Sequence, residues 1–69
     1  MYRLQNHLIS GKQYKFYTHI PYKNKFKTFS GIFSHIHNGV MYITNYKDDT
    51  LFIKNEIWTV PYDWIVDVR

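Results

Sequence analysis

The chain has 69 residues, of which 45% are hydrophobic and 20% aromatic, with a formal net charge of +4. This length predicts one domain near the lower size limit for a single core, and without cysteine neither a disulfide nor a thiolate metal site can brace it. The sequence has no run of eighteen apolar residues and no start that resembles a signal peptide. We therefore expect no membrane segment and an intracellular location.

Charge is distributed unevenly along the chain. Residues 1–47 carry seven lysines or arginines and no acidic residue, whereas residues 48–69 carry five acidic residues and two basic ones. A basic half-chain attracts a polyanion such as nucleic acid, or an acidic surface on a protein partner. The alternative is that the lysines only solvate strands and loops, and that the two halves neutralise each other in the fold.

The first elements in chain order are a short helix and a strand. Residues 2–9 could form the helix, because two leucines lie one turn apart and Ser10-Gly11 supplies a stop. Gln13–Ile20 is rich in strand formers and places alternate aromatic and β-branched residues on one face. Pro21 ends this predicted strand.

A hairpin is predicted next. Asn38-Gly39 lies between two β-rich segments, Lys27–His37 and Val40–Tyr46. This dipeptide is the strongest short-range signal for a hairpin, because a two-residue type I′ turn needs positive φ at both positions. Regular pairing from His37 and Val40 then predicts two distinct faces. One face holds Ile32, Ile36, Met41 and Ile43, and the other holds Phe29, Phe33, His35, His37, Val40, Tyr42 and Tyr46.

The predicted use of these faces follows from their side chains. The aliphatic face is the natural interior, and the aromatic face is left as a binding surface, a subunit interface or cover for the N-terminal segment. Gly31 would lie opposite Tyr46, where a glycine lets a strand bend sharply. After the hairpin, Asp48-Asp49 predicts a turn, and Thr50–Lys54 and Glu56–Val60 supply further strand material before the final WIVDVR segment.

The end of the chain resembles that of SH3 domains. Pro61-Tyr62-Asp63-Trp64-Ile65, with Val68 three residues later, is similar to their P-x-N-Y-V-x-x-hydrophobic ending. The resemblance covers about ten residues and implies a one-turn 3-10 helix between the fourth and fifth strands. Pro61 and Trp64 match positions that line the peptide groove of that family, but the rest of its signature is missing here.

The order of the elements is also similar to that of the Sm-like fold. In that family a glycine of the bent second strand is followed by hydrophobic residues two and five positions later, which Phe33 and Ile36 match after Gly31. The RNA-binding residues of the family would fall at His37 and Met41, where the residue types differ. Together the two resemblances imply a fold: all-β, a small five-stranded and strongly bent SH3-like or Sm-like barrel.

The favoured function is nucleic-acid binding. The segment from Tyr22 to Phe29 alternates lysine with aromatic or polar residues, and basic residues interleaved with aromatics suit phosphate contact and base stacking. The alternative is that most of these aromatics belong to the core. The candidate nucleic-acid-binding residues are Lys12, Lys15, Tyr22, Lys23, Lys25, Phe26 and Lys27.

Two further hypotheses stay open. One is a protein-interaction module, for example a small phage or viral protein that engages a host partner, and its candidate residues are Tyr42, Tyr46, Pro61 and Trp64. The other is a structural subunit, a homo-oligomer in which exposed strand edges pair between copies.

Catalysis and cofactor binding find little support in the sequence. No serine, cysteine or carboxylate pair is arranged with a recognisable base, so we expect no enzyme and no cofactor. His35 and His37 lie two residues apart and could supply two metal ligands, with His19 or His7 as a third. The alternative, that they are half-exposed strand residues, is favoured, and we expect no metal.

Overall fold

The computed structural model describes residues 8–69, and this part of the chain is all-β. Two one-turn 3-10 helices, Pro21–Lys23 and Tyr62–Trp64, interrupt the strands. Neither of these short helices of residues 8–69 has the length or apolar character needed to cross a bilayer. The helix predicted over residues 2–9 lies almost wholly outside the described residues. The strands are β1 (Gln13–Ile20), β2 (Lys25–His37), β3 (Val40–Lys47), β4 (Phe52–Pro61) and β5 (Ile65–Val68).

The five strands form one antiparallel sheet in the order β4-β3-β2-β1-β5. This arrangement confirms the predicted all-β fold of five strands. The edge strands β4 and β5 do not pair with each other in residues 8–69, so the sheet bends around a core without closing through backbone hydrogen bonds. The predicted 3-10 helix before the last strand is present at Tyr62–Trp64, and the Tyr62 N–H donates to the Gly39 carbonyl at 2.8 Å.

The hairpin turn at Asn38-Gly39 is confirmed. Asn38 has φ of 52° and Gly39 has φ of 76°, as a type I′ turn requires. The register next to the turn is also as predicted, with His37 opposite Val40, Ile36 opposite Met41 and His35 opposite Tyr42.

The predicted faces of the hairpin are wrong beyond His35. The register shifts at Ser34, so that Phe33 pairs with Ile43 instead of Thr44. One extra residue in a strand turns every following side chain to the other face. Phe33 and Phe29 therefore point to the same side as Met41 and Ile43, and aromatic and aliphatic residues form one core.

A second irregularity lies at Asn45, where the regular pairing of β3 with its neighbouring strands is interrupted. Asn45 has φ of 55° and Asn55 on β4 has φ of 62°, and the Asn55 N–H donates to Asn45 Oδ1 at 2.8 Å. β4 continues through Asn55, so the two predicted segments Thr50–Lys54 and Glu56–Val60 belong to one strand, except for Thr50 and Leu51, which precede it.

The core lies on the concave side of the sheet and receives side chains from all five strands. Phe16 of β1 is fully buried in it, with its ring centroid 5.3 Å from that of Phe29, and the Tyr46 ring stacks on Phe29 at 5.1 Å. The buried hydrophobic residues are Phe16, Phe29, Phe33, Met41, Ile43, Tyr46, Val60 and Ile65.

Candidate functional site

An open groove forms where β2 extends beyond the end of β3. The last β2–β3 pair is Ser30 with Lys47, so Lys25–Phe29 pairs with β1 alone. The groove has a volume of about 890 Å3, with Lys25–Ser30 on one side and Lys47–Thr50 on the other. The remaining lining residues are Gln13, Lys15 and Tyr17.

The groove is lined from both faces of the sheet. Thr18 of β1 is buried, so the adjacent Tyr17 points to the outer face. Residues opposite each other on paired strands share a face. Lys27, the partner of Thr18, therefore lies on the inner face, and Thr28, the partner of Tyr17, lies on the outer face. The groove wraps around the unpaired edge of β2.

Phe26 is an exposed aromatic residue on the outer face beside this groove. It is 72% exposed, and its ring centroid lies 4.7 Å from that of His19 on β1. His19 Nε2 is in turn 3.2 Å from Asn24 Oδ1, and Asn24 has φ of 46° at the end of the first 3-10 helix. These contacts leave most of the Phe26 ring open to a planar ligand.

Two cationic side chains lie over the ring of Tyr17 on the same outer face. Lys15 Nζ lies 5.7 Å and Arg69 Cζ 5.1 Å from the centroid of its ring. Asp67, opposite Tyr17 on β5, brings a negative charge close by, but its Oδ2 is 2.9 Å from Arg69 Nη2. Lys15 is therefore the cation at this position that remains for a ligand.

Asp48 fixes the far side of the groove. Its Oδ1 accepts from the N–H groups of Thr50 at 2.8 Å and Leu51 at 2.9 Å, which orders the turn after β3. Its Oδ2 accepts from the Tyr46 hydroxyl at 2.5 Å and lies 3.1 Å from Lys27 Nζ. The carboxylate thus connects the core, the turn and the inner face of β2.

The charge states of this cluster follow from its hydrogen bonds. The Tyr46 hydroxyl and the Thr50 N–H hold the pKa of Asp48 well below its usual range. Burial raises the pKa of Tyr46, and hydrogen bonds to Tyr46 and Asp48 raise the pKa of Lys27. Near neutral pH, Asp48 is therefore ionised and Lys27 protonated, and the charge of Lys27 is compensated locally.

The structure brings part of the predicted nucleic-acid-binding set together. Lys12 lies before β1, with its Nζ 5.5 Å from the centroid of the Tyr14 ring. Tyr22 and Lys23 lie in the first 3-10 helix, away from the groove lining. The predicted residues that line the groove are Lys15, Lys25, Phe26 and Lys27.

The predicted protein-interaction set is divided between core and surface. Tyr46 is a core residue, only 2% exposed, so its ring is not on a surface. Tyr42 is half-buried and stacks on His35 at 4.4 Å with an interplanar angle of 10°. Pro61 is exposed at the end of β4, and Trp64 lies 5.6 Å from the Tyr22 ring. The contact between Tyr22 and Trp64 joins residues that the sequence assigned to two different surfaces.

Sequence reasoning missed Tyr17 and Lys47 as groove residues. The alternation of β1 already places Tyr17 and Lys15 on one face, so a signal for Tyr17 was present. The bulge at Asn45 places Lys47 opposite Ser30, and no local pattern indicates this bulge. Among residues 8–69, no group of three histidine, cysteine or acidic side chains is arranged to hold a metal ion.

Comparison of the chain with protein-family models, with curated proteins and with solved structures finds no match.

Proposed function

We propose that this chain is a non-catalytic binding module that holds nucleic acid in the groove beside β2. The observation that carries this proposal is the position of Phe26, an exposed ring that lines the same groove as Lys15, Lys25 and Lys47. A base can stack on the ring while neighbouring phosphates contact the lysines. An intracellular location, where nucleic acids are abundant, belongs to the same proposal.

The charge of the groove supports a modest electrostatic contribution. Its lining holds four lysines and two aspartates, a formal charge of +2. Lys27 is compensated by Asp48, which leaves Lys15, Lys25 and Lys47 for phosphates. Three phosphate contacts to a single strand give a slope of about −2 in a plot of log affinity against log salt.

The experiment is a fluorescence-anisotropy titration with a mixed-sequence single-stranded oligonucleotide at about 50 mM salt. Phe26→Ala is expected to weaken binding by about 1–3 kcal/mol, because it removes the stacking surface. Lys25→Ala is expected to weaken binding and to reduce the salt slope by about 0.7.

Matched controls are available on β4. Phe52 is also an exposed phenylalanine and Lys54 an exposed lysine, and neither lines the groove. Phe52→Ala and Lys54→Ala should therefore leave the affinity nearly unchanged. The proposal fails if the wild-type chain does not bind the strand, or if the groove variants behave like these controls.

We also propose that the fold is related to SH3-like and Sm-like barrels. The strand order β4-β3-β2-β1-β5 and the 3-10 helix between β4 and β5 support this relation. The proposal concerns architecture and brings neither the peptide groove nor the RNA-binding residues of those families.

A further inference from the structure

The N-terminal half of β2 has a strand partner on one side only. From Lys25 to Phe29 it pairs with β1, and on the other side no strand of residues 8–69 pairs with it. An unpaired strand edge presents N–H and C=O groups that are ready to bind another extended chain. Here the groove lies along that edge.

The backbone groups that face the groove can be identified from the hydrogen bonds of β1. Lys15 donates its N–H to the Arg69 carbonyl at 2.7 Å and accepts the Arg69 N–H at 2.8 Å, so both of its groups point to the β5 side. Alternate residues of a strand direct these groups to opposite sides. The backbone N–H and C=O groups of Phe16 and Thr18 therefore point to β2.

The same alternation then applies to β2. Phe29 and Lys27 are the partners of Phe16 and Thr18, so their backbone groups are directed to β1. Phe33 follows Phe29 by an even number of residues, and its N–H accordingly points to the β1 side, where it donates to the Lys12 carbonyl at 3.0 Å. The N–H and C=O groups of the intervening Phe26 and Thr28 consequently point into the groove.

The side chains around this edge define what an added strand should contain. Residues opposite Lys25 and Lys27 would lie on the inner face of the sheet, where Lys25 is exposed and Lys27 is paired with Asp48. An acidic side chain fits the position opposite Lys25, in a groove whose lining carries a formal charge of +2. The intervening positions would share the outer face with Phe26 and favour a β-branched or other apolar residue.

We propose that β2 accepts an extended acidic segment of a protein partner as an additional strand, hydrogen-bonded to the backbone of Phe26 and Thr28. Backbone hydrogen bonds supply affinity, and the alternation of acidic and apolar side chains supplies specificity. This proposal concerns the backbone edge of β2 and does not rest on nucleic-acid binding, and the two ligands would compete for the same groove.

The test compares Thr28→Pro with Thr28→Ala. Proline removes the N–H that faces the groove, and a strand edge tolerates proline because the ladder to β1 does not use that N–H. Alanine makes a comparable truncation of the side chain and keeps the N–H. The probe is a fluorescent, acetylated and amidated octapeptide of alternating valine and glutamate, and the control peptide has lysine in place of glutamate.

We expect the glutamate peptide to bind the Thr28→Ala chain, and to bind the Thr28→Pro chain about tenfold more weakly. Each backbone hydrogen bond contributes modestly to affinity, and the proline ring adds a steric cost to the loss of the N–H. The lysine peptide should bind at least tenfold more weakly than the glutamate peptide. Absence of binding of the glutamate peptide up to about 1 mM, or equal affinity for the two variants, would overturn the proposal.

Hydrogen exchange in the wild-type chain tests the same point without any substitution. The amides of Phe26 and Thr28 should exchange rapidly in the free protein and become protected when the glutamate peptide is bound. Slow exchange of both amides in the free protein would contradict the assigned edge. A single-stranded oligonucleotide titrated into both variants separates the two proposals, because Thr28→Pro should leave its affinity at the Thr28→Ala value.

Discussion

At the scale of single residues, Gly31 shows how closely the sheet is packed against itself. A Cβ atom at this position would lie 2.7 Å from Ile43 Cδ1 and 3.1 Å from the Thr44 carbonyl oxygen. Both distances are shorter than normal van der Waals contact. The absence of a side chain at Gly31 is therefore what lets β2 and β3 approach where the sheet bends.

We expect Gly31→Ala to lower the free energy of unfolding by about 1–3 kcal/mol, the usual cost of overpacking a core. Ile43→Val removes Cδ1 and with it the shortest contact, so Gly31→Ala should cost less in an Ile43→Val background. Urea denaturation of the four chains gives this coupling energy. Strictly additive effects would show that the Ile43 contact does not determine the cost.

At the scale of elements, the bulge at Asn45 sets the pairing of β3 with both of its neighbouring strands. Asn45 and Asn55 both adopt positive φ, and the side chain of Asn45 accepts the N–H of Asn55. Asparagine tolerates this conformation better than other residues with a Cβ atom. The bulge brings Lys47 opposite Ser30, at the end of the groove, and keeps β4 continuous from Phe52 to Pro61.

We expect Asn55→Ala to destabilise the fold by about 1 kcal/mol, because alanine is strained at positive φ. Asn55→Gly should cost clearly less, because glycine adopts positive φ freely and the N–H donated to Asn45 is retained. Thermal and urea denaturation measure the stability of both variants. An equal cost for the two variants would mean that the Asn55 side chain, and not its backbone conformation, stabilises the bulge.

At the scale of the whole molecule, a small fold without disulfides depends on a few groups that join several elements. Asp48 is one of them, because it connects Lys27 of β2, Tyr46 of β3 and the N–H groups of the turn that leads to β4. Its pKa is held below the usual range by these donors. Ionised Asp48 therefore stabilises the folded state, whose total stability is only a few kcal/mol for a domain of this size.

The sign of the pH dependence follows from that lowered pKa. The contribution of Asp48 is fully present above the ordinary carboxyl pKa of about 4 and is lost as the pH falls from there towards the lower folded-state value. We expect Asp48→Asn to reduce stability near pH 7 and to weaken the loss of stability below about pH 4. Urea denaturation at several pH values measures both effects.

Asp49→Asn is the matched control for this prediction. It removes the same charge from the adjacent position of the turn, at an exposed side chain. Its stability should stay close to that of the unchanged chain across the same pH range. If the two variants show the same pH dependence, the hydrogen bonds of Asp48 are not the cause of the acid sensitivity.

Two elements of this fold follow from local patterns in the sequence. Alternation placed β1 at Gln13–Ile20, and the Asn38-Gly39 pair specified a type I′ hairpin. These features depend on neighbouring residues, through backbone conformation and the period of the strand, so they can be derived from local patterns. The 3-10 helix before the last strand was implied instead by the resemblance of the end of the chain to SH3 domains.

Which side chains share a surface depends on the pairing and packing of strands that are distant in the chain. The bulges at Ser34 and Asn45 reversed the predicted faces of the hairpin, put Tyr46 into the core and brought Lys47 to the groove. A bulge changes the pairing by one residue and turns the following side chains to the other face, and the alternation of a single strand does not reveal where it occurs. The sequence thus predicted lysines and aromatics in alternation, and the fold separated them into a core, an outer face around Phe26 and an unpaired edge of β2.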